Sequence, residues 1–206
     1  FGNCLTRSRM AIGDQPNLNT AITAITEACR RLEVPPPPLA MLVSVPTQAA
    51  ILLNLIDGAT HYELSKSYVI STSRFGVGQL KDSHCTPLGL HRVAEKFGTN
   101  LPPGAIFKGR KVIGQITEDN PRADIAHRIL WLDGLEPGFN RGNEVDSYSR
   151  YIYIHGVGDE STLGQPASQG CIHMSAGDLL PLHDRLTVDS LVWIGQFPLP
   201  QDEAID

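Results

Sequence analysis

No stretch of this chain approaches the roughly 20 consecutive apolar residues that a membrane-crossing helix requires. The longest wholly apolar runs, at 39–43 and 49–53, are far shorter, so no membrane span is expected. Clusters of Lys and Arg are also missing, and the net charge of −5 is mild. A nucleic-acid or acidic-membrane partner therefore has no electrostatic support. The four cysteines, Cys4, Cys29, Cys85 and Cys171, share no C-x-x-C spacing. Four in a chain of this length do not make a disulfide framework, so free thiols are expected. No apolar signal core follows Arg7 and Arg9. A cytoplasmic protein is expected if the start is near-native, and a periplasmic or cell-wall-facing one if an export signal was removed. Phe1 as first residue is read as a processed or engineered start, with residues 1–10 as a remnant. No internal repeat is visible.

What is present reads as one globular domain with a short appendage: 206 residues, 41% hydrophobic and 19% charged. Nineteen glycines and fifteen prolines point to many loops and strands. Ile22, Ile25, Cys29 and Leu32 recur at three- and four-residue steps, which predicts an amphipathic helix over 17–33 with Asn17 or Asn19 as cap. Four prolines, Pro35 to Pro38, end it. Residues 1–38 are therefore read as a helical appendage and Pro-rich linker, 39–197 as the main domain and 198–206 as a tail. Strands are expected at 39–45, 49–56, 61–71, 129–132, 151–155 and 190–196, with Asp57-Gly58 as a hairpin turn. Residues 72–110 read as loops around short strands. Ser175 and Asp178 can cap a helix reaching about Arg185, with Pro181 suggesting a later start. The whole is mainly antiparallel β, as a sandwich or a closed sheet.

The chemistry concentrates in 151–174. His155-Gly156 ends a strand whose aromatic and His side chains alternate with isoleucines. A loop of about fifteen residues leads to Ser168-Gln169-Gly170-Cys171, and such a loop readily folds back on itself. Imidazole and thiol could then meet. A free thiol near pKa 8.5 is only a few per cent thiolate at neutral pH, and a histidine partner raises that fraction. Gly170 tolerates a tight nucleophile turn, and N–H groups around Gly170 and Cys171 are candidate oxyanion donors. Taken singly, Gly170-Cys171 fits a buried cysteine beside a turn, and His155 fits a packing residue. A metal site from His155, Cys171 and His173 lacks a clear fourth ligand, so no metal or organic cofactor is implied.

His155-Gly156 followed by Ser168-Gln169-Gly170-Cys171-Ile172-His173-Met174 resembles the signature of YkuD-type L,D-transpeptidases, in which His-Gly precedes a Ser-His-Gly-Cys-Ile-Arg-Met-like run. Cys85-Thr86-Pro87-Leu88-Gly89, Leu101-Pro102-Pro103-Gly104 and the stretch 131–138 extend the likeness over roughly 39–197. The resemblance implies a β-sandwich-like catalytic domain acting on peptidoglycan stem peptides or muropeptides. Cys171 would attack the carbonyl of the third residue of a tetrapeptide, commonly meso-diaminopimelate, and release D-Ala through a thioester. His155 would be its base, oriented by the Gly156 carbonyl. Carbapenems would acylate Cys171. An amine acceptor makes a transpeptidase; water makes an L,D-carboxypeptidase of murein recycling.

Two positions depart from the pattern: Gln169 replaces the second histidine, and His173 replaces Arg or Asn. Gln169 carries no charge, and His173 carries one only part of the time. With Ser168 and Gly170 they are the expected positioning residues. Thr86 and Gly89 are placed at the cleft floor, with turn chemistry an equal account. Cys85 is read as a buried thiol, and Arg141 and Arg150 as solvated surface residues. His84, His91, His127 and His183 have no partner spacing. The alternative function is a non-catalytic peptidoglycan-binding domain, which the presence of both thiol and base disfavours. A papain-like peptidase would place its cysteine before its histidine, the reverse of the order here.

Overall fold

A computed structural model of the protein describes residues 16–56, 61–119 and 121–199. Its elements are α1 (Pro16–Arg31), β1 (Leu39–Ser44), β2 (Ala49–Ile56), β3 (His61–Ser71), β4 (Gly89–Phe97), β5 (Ala105–Lys108), β6 (Lys111–Gln115), β7 (Ala126–Gly134), β8 (Tyr153–Gly156), β9 (Ile172–Met174), α2 (Ala176–Arg185) and β10 (Leu191–Gly195). Among these residues no helix is long and apolar enough to cross a membrane.

The strands lie in the order β4-β10-β1-β2-β3-β9-β8-β7-β5-β6, and an additional β4–β7 pairing joins the ends of the first eight. The sheet thus closes around one core, like a sandwich sealed along that edge, and the mainly β expectation holds. Between these strands, β1–β10 and β8–β9 are parallel and the other pairings antiparallel. Inside sit Met41, Leu52, Ile70, Leu130, Ile154 and Ile172, with Leu179 and Leu182 of α2 and Leu186 just after it packed among them. Each fully buried aliphatic side chain stabilises the fold by roughly 1.5–3 kcal/mol.

The strands β1 and β2 read as unbroken apolar runs because both of their faces are covered. Met41, Val43, Ala50 and Leu52 face the closed core. Ala40, Leu42, Ile51 and Leu53 face α1, which presents Leu18, Ala21, Ile25, Ala28 and Cys29. The helical period read in residues 17–33 is thus the stripe that covers this part of the sheet.

Several expectations need correction. The first helix starts at Pro16, so Asn17 and Asn19 lie inside its first turn and do not cap it. Residues 72–110 contain β4, nine residues long, which Pro87, Gly89 and Gly98 at its ends disguised as loop. The expected strand at 129–132 is the centre of a nine-residue strand, buried throughout. Tyr151 has φ 58° and lies before β8. The second helix begins at Ala176 with Pro181 inside it. Ser175 Oγ accepts from Asp178 N at 3.1 Å, which sets the start, and Leu179 and Leu182 hold the next turn in the core. Pro181 and Gly177 are exposed, so water can serve the carbonyl that proline leaves without a donor. The Asp57-Gly58 turn, Cys4, residues 1–10 and the end of the expected tail lie outside the described residues.

Candidate active site

The parallel pairing of β8 with β9 sets Ile154 beside Ile172 and His155 beside His173. The isoleucines point into the closed core. The period of two therefore puts Tyr153, His155, Cys171 and His173 on the opposite face. His155, Ser168, Gln169, Cys171 and His173 line one cavity of about 530 Å³, together with Arg74, Arg122 and Asp124 among others.

The approach to the cysteine is a tight turn. Gly170 has φ 118°, and a Cβ there would lie 3.3 Å from both the Cys85 carbonyl oxygen and Ile152 Cδ1, so a side chain would meet strain and crowding. Ser168 Oγ donates to the Cys171 carbonyl at 2.6 Å and accepts from Gly170 N at 3.2 Å. The Gly170 N–H, expected among the oxyanion donors, is therefore already engaged. Thr86, fully buried, donates to the Gly170 carbonyl at 3.1 Å and accepts from Ser73 N at 2.9 Å. Thr86 thus anchors the turn beneath the cysteine. Gly89 lies elsewhere, on a second cavity bounded by Leu32, Glu136 and Trp193.

Cys171 is half-buried, and its Sγ accepts from Tyr153 N at 3.4 Å and donates to the Tyr151 carbonyl at 3.5 Å. Burial pushes the thiol up to about 11, against the Tyr153 N–H and the Arg150 charge, which both favour thiolate. His155 is 2% exposed, and its Nδ1 lies 2.9 Å from the Gly156 carbonyl. A carbonyl only accepts, so Nδ1 carries the proton and Nε2 is left as the basic nitrogen. Burial and the neighbouring His173 bring His155 down to about 3. Both groups are neutral at rest.

The His173 ring centroid lies 4.8 Å from that of His155. Its Nδ1 is buried without a hydrogen-bond partner, and burial lowers the ring to about 4 despite Asp124. Gln169 is exposed at the cavity. Among the described residues, no group of three His, Cys, Asp or Glu side chains is arranged to hold a metal ion.

Arg150 is not a solvated surface residue. Its guanidinium donates to the carbonyls of Gly78, Gln79 and Cys85, at 3.1, 2.8 and 2.6 Å, and so ties the loop carrying Thr86 to the strand carrying His155. Arg141 lies by a separate polar cavity with Asp146. Cys85 is half-buried and donates to the Phe75 carbonyl at 3.2 Å. Cys29, Cys85 and Cys171 are free thiols. His91 is fully buried between the Gly89 carbonyl and Ser147 Oγ, a packing role.

An aromatic wall beside the thiol went unnoticed in the sequence. Trp131 stacks on Tyr148 at 3.9 Å, Tyr153 meets its edge at 5.6 Å, and the Arg110 guanidinium lies 4.5 Å from its ring centroid. Cys171 packs against this cluster. The signal was the spacing of Tyr148, Tyr151 and Tyr153 ahead of the histidine, together with a distant tryptophan whose partners only the fold reveals.

The family model for the YkuD L,D-transpeptidase catalytic domain matches residues 41–194. Among solved structures, Bd1075 of Bdellovibrio bacteriovorus is similar at 14% identity and a TM-score of 0.53, over 80% of this chain and 50% of that one. The helical cell shape determining protein Pgp2 of Campylobacter jejuni is similar at 14% identity and 0.51, over 78% of this chain and 48% of that one. The chain spans about half the length of these two proteins, and the likeness to them is one of fold.

Proposed function

The chain belongs to the YkuD L,D-transpeptidase catalytic-domain family, and from that premise we propose that it is a cysteine acyltransferase cleaving the L,D bond of peptidoglycan tetrapeptide stems. One observation carries the reading. Cys171 and His155 line the same cavity, and the Gly156 carbonyl on Nδ1 leaves Nε2 of His155 free to act as base.

The thiol turns from the Tyr151 carbonyl toward His155, and Nε2 takes its proton as sulfur attacks the carbonyl of the third stem residue. The tetrahedral intermediate collapses to a thioester as the departing D-Ala amine takes that proton back. An acceptor, water or an amine, then attacks the thioester, gives a proton to Nε2, and frees the thiol. Water yields a tripeptide, the L,D-carboxypeptidase outcome; an amine yields a cross-link or an exchanged D-amino acid. Because burial holds the imidazole near 3 and the thiol near 11, the proton moves only as the sulfur meets an electrophile. Arg150 and the Tyr153 N–H favour the thiolate as it forms. No metal or organic cofactor enters any step. Gln169 and His173, at the same cavity, are the residues proposed to grip stem peptide and acceptor.

The test is mass spectrometry of products from a purified disaccharide-tetrapeptide, with and without an added D-amino acid. Loss of D-Ala with gain of water marks the carboxypeptidase, and dimers or exchange mark the transpeptidase. A tetrapeptide left intact, with no carbapenem mass adduct on Cys171, overturns the reading.

A further inference from the structure

His127 sits inside β7 with φ 68°, where the β7–β8 register slips between Ala126 and Ile129. Left-handed backbone at a residue other than glycine persists only where the surroundings hold it, and it concentrates at functional sites. Here the surroundings are specific. The side chain is 8% exposed, and Nδ1 accepts from Gly104 N at 2.9 Å. That bond leaves the ring proton on Nε2, and the Val157 backbone favours the charged ring. Burial lowers the pKa of the ring, so it stays neutral; Glu160 favours its charged form and Arg128 opposes it.

The same ring lies against the base. A Cβ on Gly156 would stand 2.6 Å from His127 Cδ2 and 2.8 Å from the Ala126 carbonyl oxygen, so only glycine fits between bulge and base. The Gly156 carbonyl is the group that holds His155 Nδ1. We propose that His127 is a positioning residue for the catalytic base: held by the Gly104 N–H and packed against Gly156, it fixes the peptide whose carbonyl orients His155. This rests on His155 being the base for Cys171. His155 in turn has His173 as its titratable neighbour.

The experiment follows alkylation of Cys171 by iodoacetamide, read by peptide mass spectrometry from about pH 5 to about 10, so no substrate need be assumed. His127→Ala removes both the acceptor for Gly104 N and the ring carbon against Gly156. His127→Asn tolerates the left-handed backbone and places its amide oxygen and nitrogen where Nδ1 and Cδ2 stand, so it keeps both contacts. The Ala variant is expected to lose the neutral-pH alkylation rate by about 10-fold while keeping its alkaline limb, and Asn to recover most of it. If both variants alkylate like wild type while His155→Ala loses the neutral-pH rate, the proposal is overturned and the base assignment stands. If His155→Ala also alkylates like wild type, both fall. Should the Ala variant fail to fold, histidine nitrogen NMR of the unaltered protein decides. His127 is expected as the Nε2–H tautomer and His155 as the Nδ1–H tautomer, and either ring in the opposite form overturns the proposal.

Discussion

The outer face of the closed sheet is used in two opposite ways. Over β1 and β2 it lies beneath α1, and Ala40, Leu42, Ile51 and Leu53 there are as apolar as the core-facing residues between them. Over β8 and β9 it opens onto a cavity, and the outward positions carry His155, Cys171 and His173. The inward positions of the same two strands remain Ile154, Ile172 and Met174. The interior thus makes one demand everywhere, while the outer face follows what covers it. Beneath a helix that means aliphatic packing. Beside an open cavity it means polar groups buried enough to have their pKa values moved, yet reachable by a substrate.

That contrast can be broken most sharply at the sulfur. Cys171→Ala is expected to abolish thioester formation and to lower D-Ala release by at least about 10³-fold, because no sulfur is left to attack. The melting temperature should stay within a few degrees, since the thiol is half-buried and the rest of the turn is held by Ser168 and Thr86. Release of D-Ala and thermal denaturation measure the two, and turnover by the variant would remove Cys171 from the chemistry.

The covered half should answer in the opposite way. Ile25, buried between α1 and the sheet, is expected on replacement by Ala to cost about 2–5 kcal/mol of stability, from lost transfer energy and the cavity left behind. Denaturant unfolding gives that figure, and the activity of the folded fraction should not change. A variant that remains folded but loses thioester formation would mean that the two halves are coupled.

The third effect lies in acid and builds up gradually with pH. Burial lowers His91, His173 and His183 to about 4 and His155 to about 3, below the roughly 6.5 of an unfolded chain. In that window the unfolded state binds more protons. These groups therefore contribute stability that is fully present above about pH 6.5 and lost as pH falls through the folded values. Each adds a slope of about 1.4 kcal/mol per pH unit. Unfolding free energies measured between about pH 7 and 4 should show the decline, and His173→Gln should remove one histidine's share. A slope untouched by that change would mean that His173 is readily protonated in the folded protein.

Much of this was legible along the chain. The steps from Ile22 to Leu32 mark a helix because an amphipathic stripe needs no knowledge of what it covers. The alternation from Ile152 to His155 separates core face from outer face for the same reason, and His155-Gly156 with Gly170-Cys171 carries its chemistry in a few adjacent residues. The strand β4 was hidden because Pro87, Gly89 and Gly98 at its ends look like loop until β7 and β10 are seen beside it. The role of Arg150 was not legible because its partners are carbonyls some 65 to 72 residues away. His127 has no partner spacing along the chain, since its meaning lies in Gly104 and Gly156.

Local period and side-chain chemistry determined where helix, strands, thiol and imidazole would fall, because each is a property of neighbours in the chain. The closure of the sheet through β4 and β7, the engagement of Gly170 N–H by Ser168, and the burial that keeps Cys171 and His155 neutral at rest were decided only by tertiary structure. Pairing register, hydrogen-bond competition and desolvation depend on groups that become neighbours only when distant segments pack.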